Sequence, residues 1–213
     1  MKDAEVDPVV KQVRAERTRQ ALIAAAAAEF DRQGYAGTSL SAVHRACGVT
    51  MGALSFHFPA KAELARAVCL HAEDITREEL ARLVPAPPVT DFTLAVATLL
   101  DEEISVRATA RLTREEAVPS CWQTLWRDAL RNVVAQVRER PGAGPGPDEL
   151  ELVAVYLMAG AESALRAGHS GKEVRAQLER LWSLILGRRP SPGRVPVARR
   201  LAADDCTTAS PPP

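Results

Sequence analysis

Apolar residues recur at helical spacing along most of the chain, and no stretch alternates apolar and polar positions as a half-buried strand would. The pattern predicts an all-α protein. From Val10 to Gln33 an Ala-rich segment sets Leu22, Ile23, Ala26, Ala27 and Phe30 on one face, and Gly34 stops it. Thr38 and Ser39 are N-cap candidates for a short helix over 40–46, with Val43 and Cys47 pointing inward. Cys47-Gly48-Val49-Thr50 interrupts that helix: Gly48 can take a positive φ without steric cost, and Thr50 can cap a second short helix from Met51 to about Phe56. Two short helices across a glycine-containing turn make a helix-turn-helix. Pro59 ends the pair, and a long helix runs from Lys61 to Leu83 with Leu64, Val68, Ile75 and Leu80 among its apolar positions.

The run Pro85-Ala86-Pro87-Pro88 breaks the pattern. Asp91 is then expected as the N-cap of a helix through Phe92, Val96, Leu99 and Leu100, followed by a shorter piece over 106–112. Pro119 is expected in the first turn of a helix carrying Trp122, Leu125, Trp126, Leu130, Val133, Val134 and Val137. After a Pro/Gly loop over 141–147, Asp148 is expected to cap a helix with Leu150, Val153, Leu157, Ala161 and Ala164 on one face, and a last helix carries Val174, Leu178, Leu181, Trp182 and Ile185. These two have broad apolar stripes that call for cover on two sides, by an intramolecular core or by a partner. Residues 188–213, rich in Pro, Arg and small side chains, read as a disordered tail.

Composition narrows the function. The 213 residues are 46% hydrophobic and 25% charged, enough for one or two packed domains. Twenty-seven basic residues balance 27 acidic ones, but unevenly. Residues 8–61 carry a net charge of +4, against −2 in residues 1–7 and −2 beyond. The helix-turn-helix therefore lies in the basic block, where Lys11, Arg14, Arg17 and Arg19 cluster at the start of the first helix. Such side chains can reach phosphate oxygens, although a charged helix end is also an ordinary solvated face. Cys47, Cys69, Cys121 and Cys206 form no CxxC pair, which fits a reducing cytoplasm better than a zinc ribbon or a disulfide scaffold. No signal-like N-terminus and no uncharged run of roughly 18–20 residues is present, so export and membrane insertion are not expected. No GxSxG, P-loop or HExxH motif occurs, and neither an enzyme nor a cofactor is expected. A metal sensor built on His44, Cys47, His57, Cys69 and His71 lacks a second pair at ligand spacing, so no metal site is expected either.

Arg17-Thr18-Arg19-Gln20 opening the Ala-rich helix, Gly34-Tyr35, Thr38, and the run Gly48-Val49-Thr50-Met51-Gly52-Ala53-Leu54-Ser55-Phe56-His57-Phe58-Pro59-Ala60-Lys61 resemble the DNA-binding end of the TetR family of bacterial regulators. Phe56-His57-Phe58, Arg107-Ala108 with Arg111-Leu112-Thr113, Pro119 to Trp122, and Leu181 to Leu186 resemble the gamma-butyrolactone autoregulator receptors within it. The resemblance implies an N-terminal arm (1–9), a three-helix helix-turn-helix domain (10–60), a helical ligand-binding and dimerisation bundle (61–187) and the tail. It implies a homodimeric repressor, its two reading heads in successive major grooves of a pseudo-palindromic operator, released by a small apolar effector of lactone or antibiotic type. Control of antibiotic biosynthesis or of efflux would follow.

The implied DNA-facing residues are Arg14, Arg17, Thr18, Ser39, Thr50, Met51, Gly52, Ala53, Ser55, His57 and Lys61, while Val43, Val49, Leu54 and Phe58 are core. Trp122 matches the tryptophan that covers the ligand in those receptors, and Trp126, Leu99, Leu100, Tyr156 and Trp182 are candidates for the same cavity. Periodicity does not separate cavity lining from solid core. Three departures stand out: Met51 where the family usually has Lys, Ser55 where it has a phosphate-touching Tyr, and His44 at a position usually small or apolar. His44 is either a core histidine or a pH- or metal-responsive group.

Overall fold

The computed structural model describes residues 8–83, 87–136 and 145–187, with side chains from residue 12. Among these the chain is helical, with no strand: α1 (Pro8–Gly37), α2 (Leu40–Cys47), α3 (Met51–His57), α4 (Lys61–Arg82), α5 (Val89–Glu102), α6 (Ile104–Arg114), α7 (Trp122–Ala135), α8 (Pro147–Arg166) and α9 (Gly171–Ile185). The N-terminal arm before residue 8, Val137, most of the Pro/Gly loop, and the tail with Cys206 lie outside the described residues.

Local chemistry sets the first three helices. Gly34 stands at φ 73, ψ −178 and breaks α1, so that only one further turn follows it. Ser39 caps α2, accepting from Ala42 N at 3.1 Å, and Thr50 caps α3, accepting from Ala53 N at 3.2 Å. Gly48 closes α2 in the left-handed region at φ 70, as a helix C-terminus prefers.

Three helix starts differ from expectation. Asp91 lies in the first turn of α5, where its charge suits the helix dipole, and Pro88 is the N-cap. Pro119 precedes α7, which begins at Trp122. The buried Glu73 of α4 holds that start, accepting from Cys121 N at 2.8 Å and Ser120 Oγ at 3.2 Å, while Trp122 N donates to Ser120 Oγ at 3.1 Å. Asp148 is likewise inside α8, with Gly146 the cap and Pro147 the first residue.

Two cores result. One gathers Leu22, Ile23 and Phe30 of α1, Val43, Leu54, Phe58, and Leu64 and Val68 of α4. The other gathers Phe92, Val96 and Leu100 of α5, Trp122, Trp126 and Leu130 of α7, Met158 of α8, and Leu178 and Trp182 of α9. Two helices serve both: α4 passes from Val68 to Ala72, and α6 gives Ala108 and Leu112 to the first core and Val106 and Ala110 to the second. Any rotation of the bundle relative to the helix-turn-helix must therefore move α4 and α6 together.

Polar contacts reinforce the second of these joints. Arg107 Nε donates to Asp31 Oδ2 at 3.1 Å, Arg111 Nη1 to the Asp31 carbonyl at 2.8 Å, and Tyr35 N to Glu115 Oε2 at 2.8 Å. Burial pushes the Glu115 carboxyl up, but hydrogen bonds from Arg111 and Tyr35 and the nearby guanidinium charges outweigh it and leave it below its ordinary value.

Two outcomes are expected. Gly34→Ala forces a side chain into a backbone region that is nearly glycine-only, and sets a Cβ 2.8 Å from Glu115 Oε2 and 2.9 Å from Arg111 Nη2. Urea denaturation should show a loss of about 1–3 kcal/mol. A lowered folded-state pKa means that Glu115 stabilises the fold above its unfolded pKa, and that this contribution fades as pH falls through the folded value. Glu115→Gln should therefore lose less stability than the parent on acidification through the carboxylate range, measured by denaturation at stepped pH.

Candidate nucleic-acid interface and effector cavity

On α3, Leu54 points into the core while Met51, Gly52 and Ser55 are exposed and Ala53 half-buried, so one face of this short helix is free over its length. Phe56 is 81% exposed at its end, with the His57 ring edge-on at 5.2 Å. An apolar ring this bare on the free face of the second helix was not among the candidate contacts, because hydrophobicity alone marks a phenylalanine for the interior. The Ser39 and Thr50 hydroxyls, both candidates, serve as helix caps and keep their O–H free to donate.

Arg14 and Arg17 are exposed on α1. Thr18 donates to the Arg14 carbonyl at 3.0 Å, and Arg19 lies over the Phe58 ring at 5.5 Å. Lys61 is more constrained: at the start of α4 its Nζ donates to the carbonyls of Tyr35 at 2.8 Å and Thr38 at 3.0 Å, and sits 4.3 Å from the centroid of the Tyr35 ring. One ammonium hydrogen remains. His44 Nδ1 lies 3.3 Å from the Val49 carbonyl, and Cys47 Sγ donates to the His44 carbonyl. The histidine thus braces the turn of the helix-turn-helix, and Val49 packs half-buried against the first core.

The bundle holds a small void of about 50 Å³ lined by Val96, Leu100, Trp122, Trp126, Arg127, Met158 and Glu162, among others. Trp122 donates to Thr76 Oγ1 at 2.9 Å, and its ring centroid lies 6.3 Å from that of Trp126. The other cavity candidates fall elsewhere. Leu99 is buried but does not line the void. Trp182 of α9 is buried against α5, donating to Thr93 Oγ1 at 2.8 Å. Tyr156 is 70% exposed on the outer side of α8, so it is no cavity wall. The apolar stripe of α8 is broad, and its period does not tell the covered side from the exposed one.

Beside this void lies a larger cleft of about 630 Å³, where side chains of α1, α6 and α8 meet, which no spacing along the chain foretells. Its walls come from residues up to 135 positions apart, Asp31 and Arg166 being the extremes. No described helix is long and apolar enough to cross a membrane.

A capped second helix with a free face, set on a basic first helix and braced by its own core, is a DNA-reading head. Residues 22–68 match the family model described as bacterial regulatory proteins, tetR family. The chain thus carries a TetR-type DNA-binding domain, the helix-turn-helix module of that class of transcriptional regulators. Within that class it is related to the gamma-butyrolactone receptors. It is 29% identical over 190 residues to the A-factor receptor protein of Streptomyces griseus, spanning 87% of this chain and 68% of that one. A solved gamma-butyrolactone receptor (ArpA-like protein) superposes with a TM-score of 0.65 at 29% identity, over 88% of this chain and 93% of the other. CprB from S. coelicolor A3(2), a TetR family protein, gives 0.62 at 25% identity, over 79% and 86%.

Arg17 and Lys61 are separable by experiment. Arg17→Ala should weaken operator and random DNA by similar factors and flatten the salt slope by about one unit, with an unchanged melting temperature. Lys61→Ala should weaken both DNAs and also destabilise the fold by about 1–3 kcal/mol, because two carbonyls lose a charged donor. Salt-dependent anisotropy and thermal melts check the contrast.

Proposed function

We propose that the chain is a homodimeric repressor that binds a pseudo-palindromic operator and is released by a small, mainly apolar effector of gamma-butyrolactone type, and that it controls genes of antibiotic biosynthesis. The observation that carries this reading is the free face of α3 on a head joined to the bundle through α4 and α6. Arg14 and Arg17, with the remaining donor of Lys61, supply phosphate contacts, while Thr50, Met51, Gly52, Ala53, Ser55 and His57 meet base edges and backbone. Met51 offers a thymine methyl an apolar partner where the family has a cation.

Symmetry comes from the other end. Leu152 and Tyr156 on α8 are 57% and 70% exposed, and Leu181 and Leu184 on α9 are 42% and 67% exposed. Together they give the chain an apolar face on two neighbouring helices, suited to the same face of a second copy in a four-helix contact. A two-fold dimer holds its heads about one helical turn apart, ~34–36 Å, so an effector that alters their separation spoils both half-site contacts at once. Similarity to the A-factor receptor and the ArpA-like receptor supports the effector class.

The test is a gel shift on the DNA upstream of the chain's own gene, with lactones and antibiotics added in separate arms. Specific retardation, lost on adding a lactone, is expected. Release by an antibiotic alone would reassign the effector, and indifference to palindromic DNA at low salt would end the reading. Leu184→Glu should yield a monomer by analytical ultracentrifugation and reduce operator affinity at least tenfold.

A further inference from the structure

The small void beside the tryptophans has about 50 Å³, room for little more than a water molecule or two, whereas small-molecule sites run to roughly 300–1,000 Å³. The adjoining cleft has about 630 Å³. Leu100 and Glu162 line both, so the two are neighbours across one wall.

That wall has more donors than acceptors. Glu162 of α8 receives Arg114 of α6 in an ion pair and has Arg166 at 3.9 Å, one carboxylate between two guanidinium groups. The other charges of the cleft are already matched: Arg107 with Asp31 at 3.1 Å, and Arg111 with Glu115 at 2.8 Å. At the small void that Glu162 also lines, the Arg127 Nε and Trp126 Nε1 hydrogens are buried and find no partner among the described residues. Trp126 is 95% buried, so bulk water does not satisfy its N–H. Buried donors are nearly always paired, and each left alone costs about 1–3 kcal/mol. Acceptor oxygens supplied from outside the chain would answer the cation excess in the cleft and the orphaned donors at the void.

We propose that the region around Glu162 is the polar end of the effector site, and that it takes the carboxylate of an acidic amphiphile whose apolar part packs against Leu100, Leu165 and the tryptophan void. This rests on the effector-responsive reading above and narrows it to effectors that carry an anionic oxygen group beside the apolar body, which a simple neutral lactone lacks. Guanidinium groups bind carboxylates through paired charge-assisted hydrogen bonds, and Arg114 and Arg166 approach from different helices, so an anion between them bridges α6 and α8. Arg114 is the last residue of α6, the helix that grips the end of α1 through Arg107 and Arg111. Binding there acts directly on the joint between bundle and reading head.

The test uses decanoate and its neutral methyl ester as probes of the full-length protein, read by quenching of tryptophan fluorescence, with the operator gel shift run in parallel. Saturable binding of decanoate is expected, with the ester at least tenfold weaker. Arg114→Gln/Arg166→Gln should abolish most of that preference, while Arg114→Lys, which keeps the charge, should retain part of it. Trp126→Phe, which keeps the ring and loses the N–H, should weaken decanoate by a smaller factor, with the far-UV melt confirming a folded chain. Equal binding of acid and ester, an undiminished preference in the double variant, or no binding of either probe would overturn the proposal. A lactone that releases the operator equally from parent and double variant would leave the repressor reading standing without the anionic end. Failure to bind any operator, with decanoate binding intact, would do the reverse.

Discussion

Asp31, near the end of α1, is gripped twice by α6: its carboxylate by Arg107 and its carbonyl by Arg111. The grip is half-buried, with side chains about 30% exposed, and it works together with the packing of Ala108 and Leu112 into the first core. Surface ion pairs contribute little to stability, but their geometry decides how two bodies sit together. Here the reading head is oriented by a helix that belongs equally to the bundle. Without that joint, α4 alone would connect the two cores, and a change beside the tryptophans would have one path to the DNA instead of two.

The break at Gly34 belongs to the same joint. A continuous α1 would carry the chain past α6; the turn at Gly34 brings the Tyr35 amide to Glu115 and the Tyr35 and Thr38 carbonyls to Lys61. One glycine thus lets α1 face α6 on one side and α4 on the other. The ring of Tyr35, stacked on Phe30 with centroids 6.0 Å apart, ties the turn back to the first core.

How much of this could be read from the sequence follows the range of the interactions. Ser39, Gly48 and Thr50 act within three or four residues of themselves, and the helix-turn-helix was legible to within a residue or so at each end. The starts of α5, α7 and α8 were less so. At α7 the decisive group is Glu73, almost fifty residues earlier, and nothing near Pro119 announces it. Trp122 lines the small void and Tyr156 does not: the spacing sets Tyr156 in the broad apolar stripe of α8, whose two faces differ in what covers them and not in their period. The arginine-lined cleft was invisible for a further reason: Arg107, Arg111, Arg114 and Arg166 each have many conceivable partners, and only the packing of α6 along α1, with its end reaching Glu162 of α8, chooses among them.

The enclosed ammonium of Lys61 has a thermodynamic side. A free lysine side chain gives up on the order of 2 kcal/mol of rotamer entropy when it is immobilised. In this protein that loss is incurred during folding, by two carbonyls and an aromatic face. An anion arriving at the remaining hydrogen therefore meets a stiff, already oriented charge, and its capture requires almost no additional ordering of the side chain.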